Sequence, residues 1–210
     1  MSAITLTSAP VTTPAFAEVP SSVAARTTVL PDLRLSYAAF AAAYLVGHGA
    51  AALSHGSDPL LSLPGWLPTG LLAAGIVVGT TASIVASTRA QRQGTATEVL
   101  TGKLLGLAWA IGFTALFLAI TGITHTLAMP HLQSLLWPTG SGLVVGLIYL
   151  AEGAARRNTL HFGLGSWLAL TSTAALLLPG AGTFWVLALA GGGGYLLAVL
   201  LEHQRLTTTR

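Results

Sequence analysis

The stretch LLGLAWAIGFTALFLAITGI, residues 104–123, contains no charged side chain and decides the class of fold. About 20 mostly apolar residues at about 1.5 Å each form a helix of about 30 Å, which is the thickness of the hydrocarbon core of a bilayer. Five further runs have the same character. The sequence therefore predicts six transmembrane helices, over residues 36–54, 67–87, 104–123, 135–154, 160–178 and 183–201.

The composition of the whole chain agrees with this class. Of its 210 residues, 53% are hydrophobic and only 7% are charged, and the mean hydropathy is +0.74. Soluble domains have about 25% charged residues. The runs are rich in Ala, Leu and Gly without alternating apolar and polar residues, which favours helices over the strands of a β-barrel. The absence of cysteine excludes disulfide scaffolds, thiolate metal sites and cysteine nucleophiles.

The nine Lys and Arg residues predict the orientation of the helices. They lie before helix 1, between helices 2 and 3, between helices 4 and 5, and after helix 6: Arg26, Arg34, Arg89, Arg92, Lys103, Arg156, Arg157, Arg205 and Arg210. The alternate connections contain none. Because basic residues concentrate in cytoplasmic loops, we expect three antiparallel hairpins in the cytoplasmic membrane, with both termini inside the cell. Lipid headgroups then explain the pI near 9.8, and no nucleic acid is required.

The two ends of the chain differ from its apolar middle. Residues 1–34 are rich in Thr, Ser, Pro and Ala without a sustained apolar run, which is typical of a disordered cytoplasmic tail. We expect one six-helix transmembrane domain over residues 35–203. A short cytoplasmic C-terminal tail should follow over residues 204–210.

Polar side chains line one face of helix 1. Tyr37, Tyr44, His48 and His55 are separated by 7, 4 and 7 positions. At about 100° per residue these four side chains fall within about 40° of one another. Lipid does not satisfy an imidazole, so we expect this face to point into the bundle. Two interpretations stay open: a structural histidine bonded to a neighbouring helix, or a ligand or proton site.

Glycines in helices 4 and 6 are compatible with close packing or with a binding site. Four consecutive glycines in helix 6 are less favourable than alanines by about 1 kcal/mol each. They permit close approach of another helix, or they form a discontinuous helix whose free backbone groups bind a ligand. The candidate substrate-binding residues are accordingly Tyr44, His48, Ser141, Gly191, Gly192, Gly193 and Gly194.

Histidines at the outer connections form a candidate metal site. His55 and Asp58 lie in the first connection, His125 and His131 in the second, and imidazole with carboxylate suits zinc, copper or nickel. Haem ligation by His48 and His125 is a further possibility, and ordinary loop residues are the simplest interpretation. No resident cofactor is predicted.

Acidic residues near the basic connections are few. Glu152 precedes Arg156 by four positions, which is the favourable order for a helical ion pair. Structural pairing is the first interpretation, and proton coupling through an intramembrane carboxylate is the second. Glu202 and His203 are interpreted as interfacial residues.

Three classes of function fit this sequence. The first is a permease or substrate-binding transport component for a neutral or amphipathic solute. The chain resembles the substrate-binding subunits of energy-coupling-factor vitamin transporters in its size and six-helix layout. It also resembles them in the small-residue pairs of helix 1, which are formed by Ala38, Ala39, Ala42 and Ala43. Because the sequence has no phosphate-binding glycine loop, an ATPase would have to be a separate subunit, and a membrane protein partner is also expected.

The second class is an accessory or assembly protein that binds other membrane helices, and the third is a membrane protein with histidine-bound metal or haem. A function other than catalysis is favoured, because the sequence has no phosphate-binding glycine loop, no HExxH motif and no pair of deep carboxylates.

Overall fold

The computed structural model of the protein describes residues 31–92 and 94–208. Within these ranges the chain is helical and has no β-strand. Six helices there are long and apolar enough to cross a membrane: α1 Arg34–Leu53, α2 Leu67–Gln91, α3 Ala96–Thr126, α4 Pro130–Arg156, α5 Thr159–Leu177 and α6 Ala181–Thr208. Each overlaps one predicted span, so the all-α class and the six apolar helices are confirmed. Nearly all of the predicted N-terminal tail lies outside the described residues.

Local sequence signals set several helix ends. Thr95 caps α3: its hydroxyl accepts the Glu98 backbone N–H at 3.3 Å, and the Glu98 carboxylate accepts the Thr95 N–H at 2.6 Å. This reciprocal pair is a capping box. Asn158 caps α5 by accepting the His161 N–H at 3.1 Å. Arg157, with φ of 54°, ends α4 in the left-handed conformation, and a tight turn to α5 follows.

α3, α4 and α6 extend furthest beyond their predicted spans. α3 has 31 residues, or about 46 Å at 1.5 Å per residue, which exceeds the hydrocarbon thickness. α4 begins with a 3₁₀ turn at Pro130 and includes Pro138 within its helix. α6 continues to Thr208, so residues 204–208, predicted as a tail, are helical. An ion pair between Glu202 and Arg205, one turn apart, stabilises that last segment.

The tightest helix pair is α4 with α5, which belong to different predicted hairpins. A Cβ atom on Gly146 would lie 2.5 Å from the Ala169 backbone nitrogen. A Cβ atom on Gly165 would overlap the Leu150 backbone. The two backbones therefore touch where the helices cross, and glycine is required on both sides of the crossing.

α1 occupies the centre of the bundle, with α2 on one side and α6 on the other. Half of its most apolar window is buried, against 6% in α2 and 6% in α3. Ser36 fastens α1 to α2: its hydroxyl donates to the Gly79 carbonyl at 2.9 Å and lies 2.6 Å from the Ser83 hydroxyl. α3 is peripheral and packs mainly on α4.

Arginines of four helices meet at one end of the bundle, which we call the basic end. Arg34 Nη1 lies 3.3 Å from His203 Nδ1, which joins the start of α1 to the end of α6. Arg34 and Arg89 line one groove between α1 and α2. Tyr37 of α1 contacts His161 of α5, so the α4–α5 turn lies at this end too. The four arginines are Arg34, Arg89, Arg156 and Arg205.

α1 and α6 each contain a π-helical segment, Ala43–His48 and Leu187–Gly191, and the two segments contact each other. A π turn leaves a backbone group without its usual helical partner. In α6 the Ala190 carbonyl accepts a hydrogen bond from the Trp167 indole at 2.8 Å. The helix continues through the glycine run without a break, and Gly191, Gly192 and Gly194 lie close to side chains of α1 and α5, which agrees with the packing interpretation. Ligand binding by these glycines stays a prediction.

Candidate functional site

All four tyrosines of the chain meet inside the bundle. Tyr37, Tyr44, Tyr149 and Tyr195 come from α1, α4 and α6 and are 1%, 7%, 4% and 1% exposed. A phenylalanine would fill nearly the same volume without a hydroxyl that needs a partner. Three of these tyrosines form a series of neighbouring side chains with two histidines and a glutamate. We call this series the polar column: His48, Tyr44, Tyr195, Tyr149, His161 and Glu152.

The column begins at His48, in the π-helical segment of α1. His48 is 3% exposed, and its ring lies 4.9 Å from that of Tyr44 in an edge-to-face arrangement. The Tyr44 ring lies 5.3 Å from the ring of Tyr195. Among the described residues, His48 Nδ1 has no hydrogen-bond partner. The first half of the column therefore starts with an imidazole nitrogen that is free to bond.

Tyr195 joins the α1 side of the column to α4. Its hydroxyl is hydrogen-bonded to the hydroxyl of Tyr149. The Tyr149 ring lies 4.5 Å from the ring of His161, at the start of α5. Aromatic pairs of this kind contribute about 0.5–1.5 kcal/mol beyond the area they bury. The column thus runs without interruption across three helix interfaces.

The column ends at an ion pair near the basic end. Glu152 Oε1 lies 3.0 Å from Arg156 Nε, and Glu152 Oε2 lies 3.8 Å from His161 Nδ1. The Arg156 Nε–H is not directed at an acceptor, so this is a contact of charges and not an aligned hydrogen bond. Both side chains of the pair are 13% exposed. The predicted ion pair is confirmed, and a small part of its carboxylate side chain is exposed.

Besides Arg156 Nε, three buried polar atoms in or beside the column lack a hydrogen-bond partner within the described ranges. They are Tyr37 Oη, His48 Nδ1 and His161 Nε2. Tyr37 flanks the column, with its ring 5.9 Å from that of His161 and 6.5 Å from that of Tyr195. A buried group left unpaired costs about 1–3 kcal/mol. These atoms are available to a proton, a water molecule or a ligand.

Glycines make room for Tyr44 in this arrangement. A Cβ atom on Gly191 would lie 2.6 Å from Tyr44 Cδ1, and one on Gly142 would lie 3.5 Å from Tyr44 Oη. The Gly191 distance leaves no room for a larger residue beside the Tyr44 ring, whereas the Gly142 distance is an ordinary van der Waals contact. Of the predicted substrate-binding residues, the structure brings together Tyr44, His48 and Gly191.

The other predicted substrate-binding residues lie elsewhere. Gly192 packs on α1, Gly194 packs on the Trp167 indole, and Gly193 faces open space. Gly193 and Gly194 line a groove of about 490 Å³ between α5 and α6. Ser141 is half-buried on α4. Three of the four consecutive glycines are thus explained by helix contacts.

His55 does not belong to the buried stripe of α1. The helix ends two positions before it, and His55 is exposed, with its ring 5.2 Å from that of Phe184. The stripe is confirmed for Tyr37, Tyr44 and His48 and is wrong for His55, because helical periodicity does not continue past the end of the helix.

The predicted metal-binding residues are all exposed: His55, Asp58, His125 and His131. In the part of the chain that the structure describes, no three His, Asp or Glu side chains lie close enough together to hold an ion. His48, the buried residue of the predicted haem pair, belongs to the polar column. The metal and haem hypotheses stay predictions.

A second carboxylate is buried at the basic end. Glu202 is 2% exposed and accepts hydrogen bonds from Arg205 Nε at 2.8 Å, Arg205 Nη2 at 2.7 Å and the Leu33 backbone N–H at 3.3 Å. Glu202, expected as an ordinary interfacial residue, is buried within the protein; its position relative to the membrane stays a prediction. Its carboxylate joins the residue before α1 to the end of α6, a structural role that three donors satisfy.

Sequence reasoning missed Tyr149, His161 and Tyr195. Tyr149 and Tyr195 could have been found from their positions in the sequence. Tyrosines usually lie at membrane interfaces, and these two lie away from the ends of the predicted helices. His161 follows Glu152 across the short α4–α5 turn, which brings the two side chains together. That proximity depends on the turn geometry and has no sequence motif.

The side chains of the column are able to exchange protons. A phenol both donates and accepts, an imidazole does so through its two nitrogens, and a carboxylate accepts. Comparisons with models of protein families, with curated protein sequences and with solved structures give no match. The function is therefore inferred from the chemistry of this site.

Proposed function

We propose that this protein is a multi-pass component of the cytoplasmic membrane, with both termini in the cytoplasm, that conducts protons in the transport of a neutral or amphipathic solute. The observation that best supports the proposal is the continuity of the polar column from His48 to Glu152. The gathering of arginines at one end supports the orientation, because basic residues concentrate on the cytoplasmic side.

The energetic cost of the column favours a functional role. An apolar bundle would lose no packing if phenylalanine replaced each tyrosine, and it would avoid burying the hydroxyl groups. Ionisable groups inside membrane spans usually mark proton or substrate pathways. Glu152, with a charge contact and a histidine neighbour, is suited to change its protonation state, whereas the oxygens of Glu202 already accept three hydrogen bonds.

The proposed proton route begins at the basic end. Glu152 is partly exposed there and exchanges protons with water, and His161 lies beside it. The linked hydroxyls of Tyr149 and Tyr195 then lead toward Tyr44 and His48. His48 lies five residues before the end of α1, or about 7.5 Å below it. The solute would bind at this level, where the two π-helical segments meet.

Proton flux through the purified protein in liposomes tests this proposal. A pH-sensitive dye is trapped inside, and a potassium gradient with valinomycin sets the membrane potential. Wild type should acidify the interior faster than empty liposomes do. Tyr195→Phe removes the hydroxyl bonded to Tyr149 and should slow the flux by about a hundredfold, the contribution of a positioned proton-transfer group.

Tyr37→Phe provides the matched control. It removes the same atom from a buried tyrosine whose hydroxyl has no partner within the described residues. This variant should keep the wild-type flux. Equal rates for wild type, Tyr195→Phe and empty liposomes would contradict proton conduction.

A second candidate function is the binding of other membrane helices. Only 6% of the apolar windows of α2 and α3 is buried, so both helices present open faces. A complex of higher mass in mild detergent that is lost on changing Leu107 and Ile111, both exposed on α3, to tryptophan would favour this function. A monomer in both cases would argue against it.

A further inference from the structure

A groove of about 740 Å³ opens at the basic end between α1, α2 and α6. Its charged lining, which we call the mouth, is formed by Asp32, Arg34 and Arg89, and its apolar lining includes Ala38, Ala82 and Ala86. The volume lies within the range of about 300–1,000 Å³ that is typical of ligand sites. No residue of the polar column lines this groove.

The contacts beside the groove keep its walls in place. The Ser36 hydroxyl ties α1 to the Gly79 carbonyl and the Ser83 hydroxyl of α2. The Phe40 ring packs so closely that a Cβ atom on Gly79 would lie 2.8 Å from it. With the backbones held at this spacing, the methyl groups of the three alanines leave an open apolar slot.

Among the described residues, the charges at the mouth leave one cation without a partner. Arg34 Nη2 lies 2.7 Å from Asp32 Oδ2, and Arg34 Nε lies 3.0 Å from Asp32 Oδ1. These hydrogen bonds hold the pKa of the Asp32 carboxyl below its usual value, so the pair is neutral overall at neutral pH. Arg89 is exposed and has no hydrogen bond or ion pair with any described residue. Two arginines and one aspartate give the mouth a net charge of +1.

We propose that this groove binds one anionic phospholipid, with its phosphate on Arg89 beside Arg34 and an acyl chain in the alanine-lined slot. Charge complementarity selects this occupant, because a phosphodiester monoanion matches the charge of the mouth and a hydrocarbon chain matches the slot. Guanidinium groups bind phosphate well, and basic pockets between membrane helices bind anionic headgroups. The proposal requires that the helices cross a membrane and does not require proton conduction.

Native mass spectrometry of the purified protein in detergent tests the site. The protein is titrated with phosphatidylglycerol or with phosphatidylcholine of the same acyl chains. Wild type should bind one phosphatidylglycerol in preference to phosphatidylcholine. Arg89→Gln should weaken phosphatidylglycerol binding about fivefold, the contribution of one basic residue near a membrane surface, and should remove the preference.

Arg92→Gln is the matched control, because it removes the same charge from the exposed end of α2 outside the groove. It should bind lipid as wild type does. Ala82→Phe fills the slot while keeping the charges, and it should weaken the binding of both lipids. If that variant does not fold, Arg89→Gln decides alone, since its side chain is exposed.

Three results would overturn the proposal. Equal binding of the two lipids by wild type would remove the role of charge. Equal losses in Arg89→Gln and Arg92→Gln would indicate general surface attraction. A second copy of the chain or another protein in place of the lipid would assign the groove to a protein partner. None of these readouts depends on proton flux, so the two proposals fail independently.

Discussion

The bundle has two parts of similar apolar composition and different packing: the interior helices α1, α4, α5 and α6, and the flanking helices α2 and α3. Half of the apolar window of α1 is buried, against 6% in each flanking helix. Every tyrosine and both buried histidines belong to the interior helices. The flank exposes aliphatic side chains such as Val77, Ile84 and Leu118. Hydropathy therefore gives both parts the character of membrane-spanning helices. Only the positions of the polar groups distinguish the interior helices, which contain the candidate site, from the flanking helices.

The largest effect is expected from a methyl group at the interior helix crossing. Gly146→Ala places a Cβ atom 2.5 Å from the Ala169 backbone, which cannot move without separating α4 from α5. We expect a loss of about 3 kcal/mol in the free energy of unfolding, the upper range for overpacking. The midpoint of denaturation in detergent micelles measures it.

Gly106→Ala is the matched change on the flank. Its Cβ atom would meet open space on α3, so alanine should stabilise the helix by about 0.5–1 kcal/mol. Opposite signs for the two substitutions would support the division into interior and flank. A similar loss for both would show that α3 packs as tightly as the interior helices.

An intermediate effect is expected from a buried carboxylate. Glu202→Gln keeps the size of the side chain and removes the charge that accepts hydrogen bonds from Arg205 and from the Leu33 N–H. The expected loss is about 2 kcal/mol, since hydrogen bonds to charged groups contribute about 1.5–3 kcal/mol. Chemical denaturation in the same detergent measures it.

Glu98→Gln makes the same change at the start of α3. The hydrogen bond between Thr95 N–H and the Glu98 carboxylate is exposed, and glutamine also forms a capping box, so the loss should be much smaller. Equal losses in the free energy of unfolding for Glu98→Gln and Glu202→Gln would contradict this. They would show that burial of the hydrogen bonds does not make the interior more sensitive to substitution.

The sequence was sufficient to predict the six helices because each is specified by its own residues. An apolar run of about 20 residues has few alternatives in a bilayer, whatever its neighbours are. Helix ends were less predictable. The capping box at Thr95 and the ion pair between Glu202 and Arg205 extend α3 and α6 beyond their apolar runs, and hydropathy does not register such contacts.

The candidate site was predictable only where one helix contains it. Tyr37, Tyr44 and His48 share a face of α1, so periodicity was enough to find them. Tyr149, His161 and Tyr195 join the site through three other helices, and their placement depends on how closely glycines let those helices approach. Helix order in space has no local sequence signal, which is why the column appears only in the folded chain.

The smallest effect is expected at the boundary between the two parts, where Asp32 and Arg34 line the groove. Hydrogen bonds from Arg34 lower the pKa of Asp32 and outweigh the opposing effect of partial burial. A carboxyl whose pKa is lower in the folded chain stabilises the fold above its unfolded pKa, and this stabilisation is lost as the pH falls through the folded value. Asp32→Asn should therefore lower the melting temperature slightly at neutral pH, and the gap to wild type should close below about pH 4.

Melting curves of both proteins from neutral pH downward measure this gap, and high salt should narrow it because the pair is exposed. A gap that widens in acid would mean that Asp32 stabilises the fold through its protonated form. Asp32→Asn also removes the negative charge from the mouth of the groove and leaves Arg34 without its carboxylate partner. The preference for phosphatidylglycerol should therefore increase in Asp32→Asn. This one variant tests both the small effect on stability and the charge of the lipid site.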